Sequence, residues 1–462
     1  MDIKKILVSP EGKTLEFKRD LSSLKQIMKT IISFANTAGG LLIIGMEDNG
    51  VIKGIDDPLQ AEEQLTSSIA DSISPIIMPD IEILTVQGKT LLCIRVAHWI
   101  GPFYLKKEGK EQGVYIRLGS STRQAGPEFI EEMQRQHKNK SFDQLPCSPH
   151  GITTLDISSI QKVLGNAERT INEQQLLSLN ILTPFAGTNA VTHGGLILFG
   201  KPETRQMVLP DARVSCARFR DTSKADFIDT LDMECSILDV IEQVPLFIRR
   251  NTRLYPKIVG MKRNDIPAYP VFAIREILIN ALAHCDYSLT GMHVMVAIFS
   301  DRLEIQNPGL LPFGMTLNHF KAGISRIRNR VIARIFKELG LMEEWGSGYK
   351  RVTDFCKENG YPFPDWQEMG PTMRVTIYPH PDAEELSPPV TPPVKKILSV
   401  CKNTAGRKKL QEKLSIKNKK YFRDFYLKPA LEQGYLEMTI PDKPNSPLQK
   451  YRLTALGRKC LT

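Results

Sequence analysis

Three acidic residues and a lysine near the N-terminus have the types and spacing that metal-assisted phosphodiester cleavage requires. Glu11, Glu16 and Lys18 lie in the segment EGKTLEFK, and residues 16 and 18 share one face of an extended strand. Asp48 follows a short apolar run 30 residues after Lys18. Carboxylate oxygens at strand ends can hold Mg²⁺ or Mn²⁺, while a lysine neutralises a phosphate or steadies a water. The alternative is that these side chains point apart into solvent.

A glutamate and an asparagine four residues apart form a second candidate site. Glu276 and Asn280 lie one turn apart on a helix that we expect over residues 270–287, so they share a face. A carboxylate can activate water while the amide oxygen ligates Mg²⁺. Glycine-rich turns follow at IQNPGLLP and EEWGSGYKR, where the backbone can approach phosphates closely. Because E-x-x-x-N is common by chance, a buried asparagine or a surface pair is the alternative.

Positive charge is concentrated at the C-terminal end of the chain. The whole chain has 61 Lys+Arg and 51 Asp+Glu, and residues 394–462 hold 17 of the former against 5 of the latter. Three expected helices followed by two strands around a loop are typical of a winged helix. The third helix opens with basic residues that suit a major groove and phosphates: Lys417, Lys419, Lys420 and Arg423. A dimerisation or docking module is the alternative.

Apolar periodicity predicts the elements that position these residues. In the first 140 residues, we expect a helix over 22–36 and strands at 41–45, 81–86, 90–96 and 114–118. In the middle of the chain, we expect strands at 194–200 and 212–219, helices over 229–251 and 270–287, and two strands within 293–309. The chain therefore alternates helices and strands over most of its length.

Length and composition indicate an α/β multidomain protein. A chain of 462 residues suggests about three domains. We divide it into a domain at 1–140, a connecting region at 141–190, a domain at 191–380, a Pro-rich linker at 381–393 and a domain at 394–462. No apolar run approaches the roughly 20 residues of a membrane span, and eight cysteines without a C-x-x-C pair favour a reducing cytosol. We expect a cytoplasmic homo-oligomer, a dimer or higher, that binds nucleic acid and no membrane.

Roughly residues 5–130 resemble the Schlafen/AlbA-type domain family. The matching segments are EGKTLEFKRDLSS, FANTAGG, IGMEDNG and VYIRLGSSTR. Schlafen nucleases use two glutamates and an aspartate to bind metal in a site that cuts RNA, including transfer RNA. The resemblance implies that Glu11, Glu16 and Asp48 bind Mg²⁺ or Mn²⁺ and that Lys18 is the lysine of this site. Bacterial relatives carry the same residues and are mostly described as DNA-binding domains.

The metal hypothesis makes a prediction about stability. Crowded carboxylates repel one another, so the cluster should lower stability until a divalent cation binds. Glu16→Ala should then leave the cation-free protein as stable or more stable and abolish Mn²⁺-dependent RNA cleavage. An RNA-binding surface would also need clustered cations, because residues 1–140 are neutral, with 18 basic and 18 acidic residues. The candidates are Lys106, Lys107, Lys110, Arg117 and Arg123.

Residues about 190–380 resemble a divergent GHKL-type ATPase domain, an α/β sandwich found beside Schlafen/AlbA domains in proteins described as RecG-like helicases or transcriptional regulators. The matching segments are REILINALAHCDYS, FSDRLEIQNPG and LMEEWGSGYKRV. The resemblance implies ATP as a ligand, with Glu276 polarising water and Asn280 holding Mg²⁺. Gly346 and Gly348 would form the second glycine box beside the phosphates.

One position departs from the GHKL pattern. Ordinary members grip the adenine amino group with the aspartate of D-x-G-x-G, where this chain has Asn307, Pro308 and Gly309. An asparagine oxygen can accept the same hydrogen bond. The chain has no Walker A sequence, so its sequence does not support the motor activity that a helicase requires. Three arginines in GISRIRNR either face the phosphates as a lid or form a solvated face: Arg326, Arg328 and Arg330.

The C-terminal segment resembles the winged-helix tail of Fic-like and related bacterial regulators. Taken together, the three resemblances imply a Schlafen-like metal-dependent nuclease acting on tRNA-like RNA, regulated by ATP and by the winged helix, in stress or phage defence. A weak ATPase activity is compatible with this function. The alternative is a non-catalytic, ATP-responsive, DNA-binding transcriptional regulator.

Overall fold

A computed structural model of the chain describes residues 6–47, 50–165, 171–259, 262–343, 346–384, 392–401, 403–416, 418–432, 434–441, 446, 448–454 and 457–458. Within it, contacts divide the chain into two units, Met1–His380 and Pro381–Thr462. Helices and sheets alternate along the chain, which confirms the α/β multidomain class.

The first unit begins with a four-stranded sheet. Its strands lie in the order Leu15–Lys18, Gly40–Ile44, Lys89–Val96 and Asp80–Val86. The first two strands are parallel and the other pairs are antiparallel. Two short strand pairs accompany the sheet, Ile73–Ser74 with Tyr104–Leu105 and Tyr115–Leu118 with Ser121–Gln124. The helices of this region are Leu24–Thr37, Pro58–Ser72, Gly109–Gln112 and Pro127–His137.

The helix Leu24–Thr37 shows how the sequence builds this region. Ile27, Ile31 and Phe34 recur on one face, and all three are buried in a core shared with the sheet. The helix ends before Gly39, which has a left-handed φ of 73° and donates its backbone N–H to the Phe34 carbonyl at 2.8 Å. The predicted helix and the strands predicted in the first 140 residues are confirmed, apart from shifts at their ends.

A run of short elements joins this region to the next. They are the helices Ile157–Leu164, Glu173–Ser178, His193–Phe199 and Pro202–Val208, the 3₁₀ turns Phe142–Gln144 and Ile152–Thr154, and the hairpin Leu182–Phe185 with Thr188–Val191. The strand predicted at 194–200 was wrong, since His193–Phe199 is a helix. The Thr192 hydroxyl caps it by accepting from Gly195 N at 3.0 Å. Because every residue from 194 to 199 is buried, the run has no helical periodicity to read.

A six-stranded mixed sheet forms the middle of the unit. Its order is Phe227–Met233, Val214–Phe219, Val294–Ile298, Leu303–Pro308, Thr372–Ile377 and Asp365–Met369. The second and third strands are parallel, and the remaining pairs are antiparallel. The helices are Ile237–Asn251, Val271–His284, Leu317–Lys321, Arg330–Glu338 and Gly348–Glu358. A separate hairpin pairs Leu254–Val259 with Lys262–Pro267.

The single helix predicted over 229–251 was partly wrong. Its first part belongs to the edge strand Phe227–Met233, where Leu231 pairs with Cys216 rather than lying on a helix. The helix begins only at Ile237, after Ser236, whose hydroxyl accepts from Leu238 N at 3.2 Å. The alternation that marks a strand is broken here, because Ile228 is exposed and Asp229 shares a face with Leu231 and Met233.

The second unit, Pro381–Thr462, contains the helices Pro381–Glu384, Pro392–Val400, Arg407–Lys413, Lys419–Phe422 and Lys428–Glu432, with a π-helical turn at Arg423–Leu427. A three-stranded sheet follows the order Ala405–Gly406, Lys450–Leu453 and Leu436–Met438. Its own apolar core includes Ile397, Leu410, Phe422 and Tyr435. In the described part of the chain, no helix is both long and apolar enough to cross a bilayer.

Candidate carboxylate site and nucleotide pocket

The first strand brings Glu16 and Lys18 together, as their spacing predicts. Their side chains form an ion pair with 2.6 Å between Lys18 Nζ and Glu16 Oε1. The other carboxylate oxygen, Glu16 Oε2, accepts from Arg117 Nη1 at 2.8 Å. Glu16 is buried in this setting. Both oxygens of the predicted metal ligand are therefore held by cationic side chains.

Arg117 is a structural residue rather than part of a nucleic-acid surface. Its side chain has no solvent exposure, and it lies over the Phe34 ring at 5.1 Å from guanidinium carbon to ring centroid. Besides Glu16, it donates to the Gly12 carbonyl at 2.7 Å and to the Thr122 hydroxyl at 3.1 Å. Its inclusion among the RNA-binding cations was wrong, because the guanidinium is consumed in neutralising a buried carboxylate. The sequence gives no local signal for this pair, whose partners are 101 residues apart.

The described residues do not make a divalent metal site. Glu11 turns its carboxylate towards the backbone and accepts from Phe17 N at 2.8 Å. Asp48 lies outside the described residues. Among the residues that are described, no group of three His, Cys, Asp or Glu side chains is arranged to hold a metal ion. Lys18 and Arg117 contact both oxygens of Glu16, and binding of Mg²⁺ or Mn²⁺ by Glu11, Glu16 and Asp48 stays a prediction.

Most residues of the second candidate site lie around one pocket. Five of the six predicted ATP-binding residues line it: Glu276, Asn280, Asn307, Gly346 and Gly348. We call this the Glu276 pocket; its cavity volume is about 120 Å³, and it is open to solvent. The sixth residue, Gly309, is not among its lining residues. Gly309 instead turns the chain after the strand with a left-handed φ of 97° and donates its N–H to the Pro371 carbonyl.

The helix Val271–His284 presents the two polar residues of the pocket. The Asn280 amide nitrogen donates to the Glu276 carbonyl at 2.8 Å, so its side-chain oxygen is the atom that can face a bound cation. Burial raises the pKa of the Glu276 carboxyl, and the nearby guanidinium groups of Arg351 and Arg275, at 3.6 and 3.8 Å, oppose that rise. Burial and the two guanidinium groups thus act on the pKa of Glu276 in opposite directions, and burial is the larger effect.

Glycine is required where the pocket's two loops meet. Gly346 has a φ of 67°, and a Cβ placed on it would lie 2.0 Å from the Gly323 carbonyl oxygen. Only a residue without a side chain allows these two backbones to approach so closely. Glu344 and Trp345, which precede Gly346 in the sequence, lie outside the described residues.

Sequence reasoning missed the aromatic wall of the pocket. Phe320, Tyr349 and Trp366 pack against one another in tilted or edge-to-face arrangements, with ring centroids 4.9 to 5.9 Å apart. All three line the pocket. Phe320 and Tyr349 come from two helices, and Trp366 comes from the edge strand Asp365–Met369. Only the tertiary fold brings the three rings together. Tyr349 could have been found from the sequence because it directly follows the glycine box.

The three arginines of GISRIRNR occupy three different environments. Arg326 is exposed, lines the Glu276 pocket and donates to the Phe313 carbonyl at 2.7 Å. Arg328 is buried and forms ion pairs with Glu132 and Asp286. Arg330 is exposed and lines a separate groove. Neither a single lid nor a uniformly solvated face describes them, so both alternatives were wrong for the set.

The basic residues of the C-terminal unit lie at the start of a helix. Asn418 caps it by accepting from Lys420 N and Tyr421 N at 2.9 and 3.0 Å. Lys419 and Lys420 are exposed, whereas Arg423 is paired with Asp424 at 2.7 Å. Lys417 lies outside the described residues. Of the predicted nucleic-acid-binding residues that the structure describes, Lys419 and Lys420 are therefore better placed than Arg423 to meet a phosphate backbone.

Three family models match successive parts of the chain. Residues 11–126 match the family described as Schlafen, AlbA_2, and residues 291–377 match the family described as Putative ATP-dependent DNA helicase recG C-terminal. Residues 392–454 match the Filamentation induced by cAMP protein Fic-like, C-terminal domain. The second match includes Asn307 but begins after the helix that carries Glu276 and Asn280. No curated protein matches the chain.

Several solved structures are similar to parts or all of the chain. The DIP2311 protein from Corynebacterium diphtheriae is 19% identical over 99% of this chain and 97% of its own, with a TM-score of 0.43. The N-terminal domain of a putative ATP-dependent DNA helicase RecG-related protein from Nitrosomonas europaea is 30% identical over 26% of this chain and 88% of its own, with a TM-score of 0.22. A Fic family protein from Desulfovibrio desulfuricans G20 is 13% identical over 72% of this chain and 77% of its own, with a TM-score of 0.16.

The family matches define the class of the protein. It is an α/β multidomain protein in which a Schlafen/AlbA_2-type domain precedes a RecG-like C-terminal ATPase-type domain and a Fic-like C-terminal domain. The first two domains point to a function that involves nucleic acid and ATP.

Proposed function

We propose that the protein is an ATP-responsive nucleic-acid-binding protein, with ATP bound in the Glu276 pocket. The observation that carries this proposal is the convergence of five predicted ATP-binding residues on one pocket. Two of them, Glu276 and Asn280, lie outside the segment that matches the ATPase-type family, so their position is independent support. A match to Schlafen/AlbA_2 over residues 11–126 supports the nucleic-acid part.

The two ends of the Glu276 pocket suit the two ends of a nucleotide. The aromatic wall offers an apolar surface to a base, and Asn307 supplies an amide oxygen for its amino group. At the polar end, Ser347 and Arg351 stand beside the glycine loop, where phosphates can contact backbone N–H groups. The types of residue present therefore suit a nucleoside triphosphate. Asn280 would hold a divalent cation, which would offset the negative charge of the phosphates.

Slow hydrolysis is compatible with this pocket. The raised pKa of the buried Glu276 carboxyl makes it a better proton acceptor than an exposed glutamate. In the structure, however, the Arg351 guanidinium lies 3.6 Å from that carboxylate. This guanidinium lowers the affinity of Glu276 for a proton. We therefore propose ATP binding as the main event and a weak ATPase activity as its by-product.

Thermal stability with and without Mg²⁺-ATP tests the nucleotide part. Asn280→Ala should abolish the Mg²⁺-dependent rise in melting temperature, while Glu276→Ala should keep the rise and lose hydrolysis. Binding at a hundredfold excess over Kd stabilises by about 2.7 kcal/mol. Asn359→Ala is a matched control, because Asn359 makes the same bond to the carbonyl four residues earlier, at 2.9 Å, but lies outside the pocket. Absence of any shift at millimolar Mg²⁺-ATP would refute the nucleotide site.

A metal-dependent endoribonuclease acting on tRNA-like RNA is the second candidate. The observation that favours it is the placement of Glu16 and Lys18 side by side next to Glu11 on the strand Leu15–Lys18. The cations already on Glu16 oppose it. The test is cleavage of tRNA by the purified protein with and without Mn²⁺. Lys18→Ala leaves the Glu16–Arg117 pair in place, so loss of cleavage in this variant would reflect chemistry rather than unfolding.

The exposed lysines of the C-terminal unit are a further contact to nucleic acid in this proposal, as a winged helix would provide. From Pro392–Val400 onward the order is a helix, a short strand, a second helix, a helical segment over 419–432 and two strands, which supports that comparison. A homo-oligomeric state remains a prediction, which light scattering of the full chain tests.

A further inference from the structure

A second and larger groove lies beside the Glu276 pocket. It has a volume of about 890 Å³ and is open to solvent. The helix Pro127–His137 and the following loop form one side, and the segment Ser325–Glu338 forms the other. Seven basic and three acidic residues line it: Arg135, Lys140, Arg326, Arg328, Arg330, Arg334 and Lys337, with Glu132, Asp286 and Glu338. We call it the basic groove.

Two of the three acids are already neutralised in the wall. Glu132 and Asp286 are buried, and both pair with the buried Arg328, whose guanidinium also donates to the Leu310 carbonyl at 2.7 Å. This cluster ties the helix Pro127–His137 to the middle of the unit. Setting it aside leaves six basic residues and only Glu338 in the lining. Arg135 also pairs with Glu131, which is outside the lining, at 3.6 Å. The groove therefore carries a net positive charge.

Three of these cations form a row on one helix. Arg330, Arg334 and Lys337 are spaced by four and three residues on the helix Arg330–Glu338, so they lie along one face. The row extends for about 10 Å at 1.5 Å per residue. The opposite face, with Val331, Ile335 and Phe336, is buried. A linear row of positive charges matches a repeating anion better than a single phosphate.

The hydrogen-bond partners of the Arg330 guanidinium leave its charge available. Arg330 donates to the backbone and side-chain oxygens of Asn139 at 2.9 and 2.7 Å, and both are neutral groups that orient the guanidinium without cancelling it. Arg334 and Lys140 are exposed. The helix N-terminus is not a second anion site, because the Asp143 carboxylate already accepts from three of its backbone N–H groups at 2.7 to 3.1 Å.

Apolar groups in the groove favour nucleic acid over an acidic protein. The half-buried Phe142 ring lies under the Arg135 guanidinium, 5.6 Å from its centroid. Ile100 is exposed at the groove edge. Because the Phe142 ring is also stacked on His193, with ring centroids 4.5 Å apart, Ile100 is the apolar group on which a base can pack. Cations along a backbone beside such a surface are the combination by which proteins bind single strands.

The basic groove and the Glu276 pocket share a wall. Pro312, Ser325 and Arg326 line both cavities. One guanidinium cannot fully neutralise two anions, and two anions on either side of it repel each other. We propose that the basic groove binds the sugar–phosphate backbone of a single-stranded nucleic acid, and that nucleotide in the Glu276 pocket weakens this binding through Arg326. The second half of this inference rests on the proposed nucleotide site, and the first half does not.

Fluorescence anisotropy of the full chain with labelled single-stranded RNA and DNA tests the groove. Arg330→Glu with Arg334→Glu should weaken binding by about tenfold or more and lower the slope of log K against log salt by about 1.4, at about 0.7 per lost contact. Arg249→Glu with Lys357→Glu is the matched control, because it changes net charge equally at exposed residues outside the groove. Unchanged affinity and slope in the groove variant would overturn the inference. So would displacement of the strand by polyglutamate at equal charge concentration, which would assign the groove to an acidic protein.

A second titration tests the coupling. Mg²⁺-ATP should weaken strand binding by at least about fivefold, the lower end of ordinary coupling between sites. Arg326→Ala should remove this effect. ATP binding is followed separately by thermal shift in the same samples. If ATP binds and strand affinity is unchanged, the coupling is wrong. If ATP does not bind at all, the proposed nucleotide site fails and the coupling with it, while the charge-reversal result alone decides the groove.

Discussion

Replacing Glu16 by glutamine removes the charge that neutralises a fully buried arginine. Arg117 keeps its bonds to the Gly12 carbonyl and the Thr122 hydroxyl, and glutamine still offers an oxygen acceptor. The ionic partner is nevertheless lost from a side chain with no solvent exposure. Removing one partner of a buried pair costs about 3–5 kcal/mol, and the retained acceptor places Glu16→Gln near about 3 kcal/mol.

Lys18→Met supplies the comparison within the same cluster. Lys18 contacts the other oxygen of Glu16, but its side chain is 27% exposed, so the pair is worth only about 0–1 kcal/mol. The structure therefore predicts a large loss of stability for Glu16→Gln and a small one for Lys18→Met. The sequence-based hypothesis of crowded carboxylates predicts the opposite. Removal of the Glu16 charge would then leave the protein as stable or more stable.

Urea unfolding followed by tryptophan fluorescence measures this difference. The three tryptophans, at 99, 345 and 366, all belong to the unit Met1–His380, so the signal omits the C-terminal unit. A lower midpoint at unchanged slope reports lost stability. Glu16→Met combined with Arg117→Met should recover much of the loss, since no buried charge remains. Equal stabilities for Glu16→Gln and Lys18→Met would refute the reasoning. Stabilisation of the wild type by Mn²⁺, absent in Glu16→Gln, would support a metal site instead.

Three further predictions follow from single residues. Lys419→Glu with Lys420→Glu should weaken nucleic-acid binding at all sequences and flatten its salt dependence; unchanged binding at low salt would favour a docking module. Gly346→Ala should abolish the ATP-induced thermal shift because its Cβ meets a carbonyl oxygen, whereas Gly340→Ala, with a similar φ of 64° and open space, should retain it. Burial lowers the pKa of His284 to about 4, so its contribution to stability is present above about pH 6.5 and is lost as pH falls towards 4. His284→Gln should reduce the acid sensitivity seen by urea unfolding at pH 7 and pH 5, and an identical pH dependence would contradict this assignment.

The spacing of apolar residues correctly predicted elements that have one buried face and one exposed face. The helix Leu24–Thr37 has one buried face, and its apolar spacing is visible in the sequence. The helix His193–Phe199 is buried on all sides, so the same reasoning has no period to detect and mistakes it for a strand. The strand Phe227–Met233 was mistaken for part of a helix for a different reason. Four of its seven residues are exposed, and they include the apolar Phe227 and Ile228.

The candidate site divides along a similar line. Glu276 and Asn280 were predictable because a four-residue spacing on a helix fixes their relation without tertiary information. The Glu16–Arg117 pair was not, since it depends on contact between segments 101 residues apart. Burial decides the role of Arg117. When its partner is unknown, an arginine in a predicted strand can equally be interpreted as a surface cation. Spacing therefore predicts which residues can act together, whereas packing decides which charges remain free to act.

In the segment around Arg328, packing gives three similar residues, Arg326, Arg328 and Arg330, different roles. Alternate residues of an extended segment would share a face. The Arg328 side chain is nevertheless only 8% exposed, while Arg326 and Arg330 are exposed. Its pairs with Glu132 and Asp286 fix the middle of the segment. The two exposed arginines on either side are then held at the Glu276 pocket and the basic groove, respectively. Because the anchor is ionic and buried, loss of either carboxylate would leave an uncompensated charge and loosen both sites together. A ligand at one site can thus influence the other through a segment of five residues, without a rearrangement of the sheet beneath it.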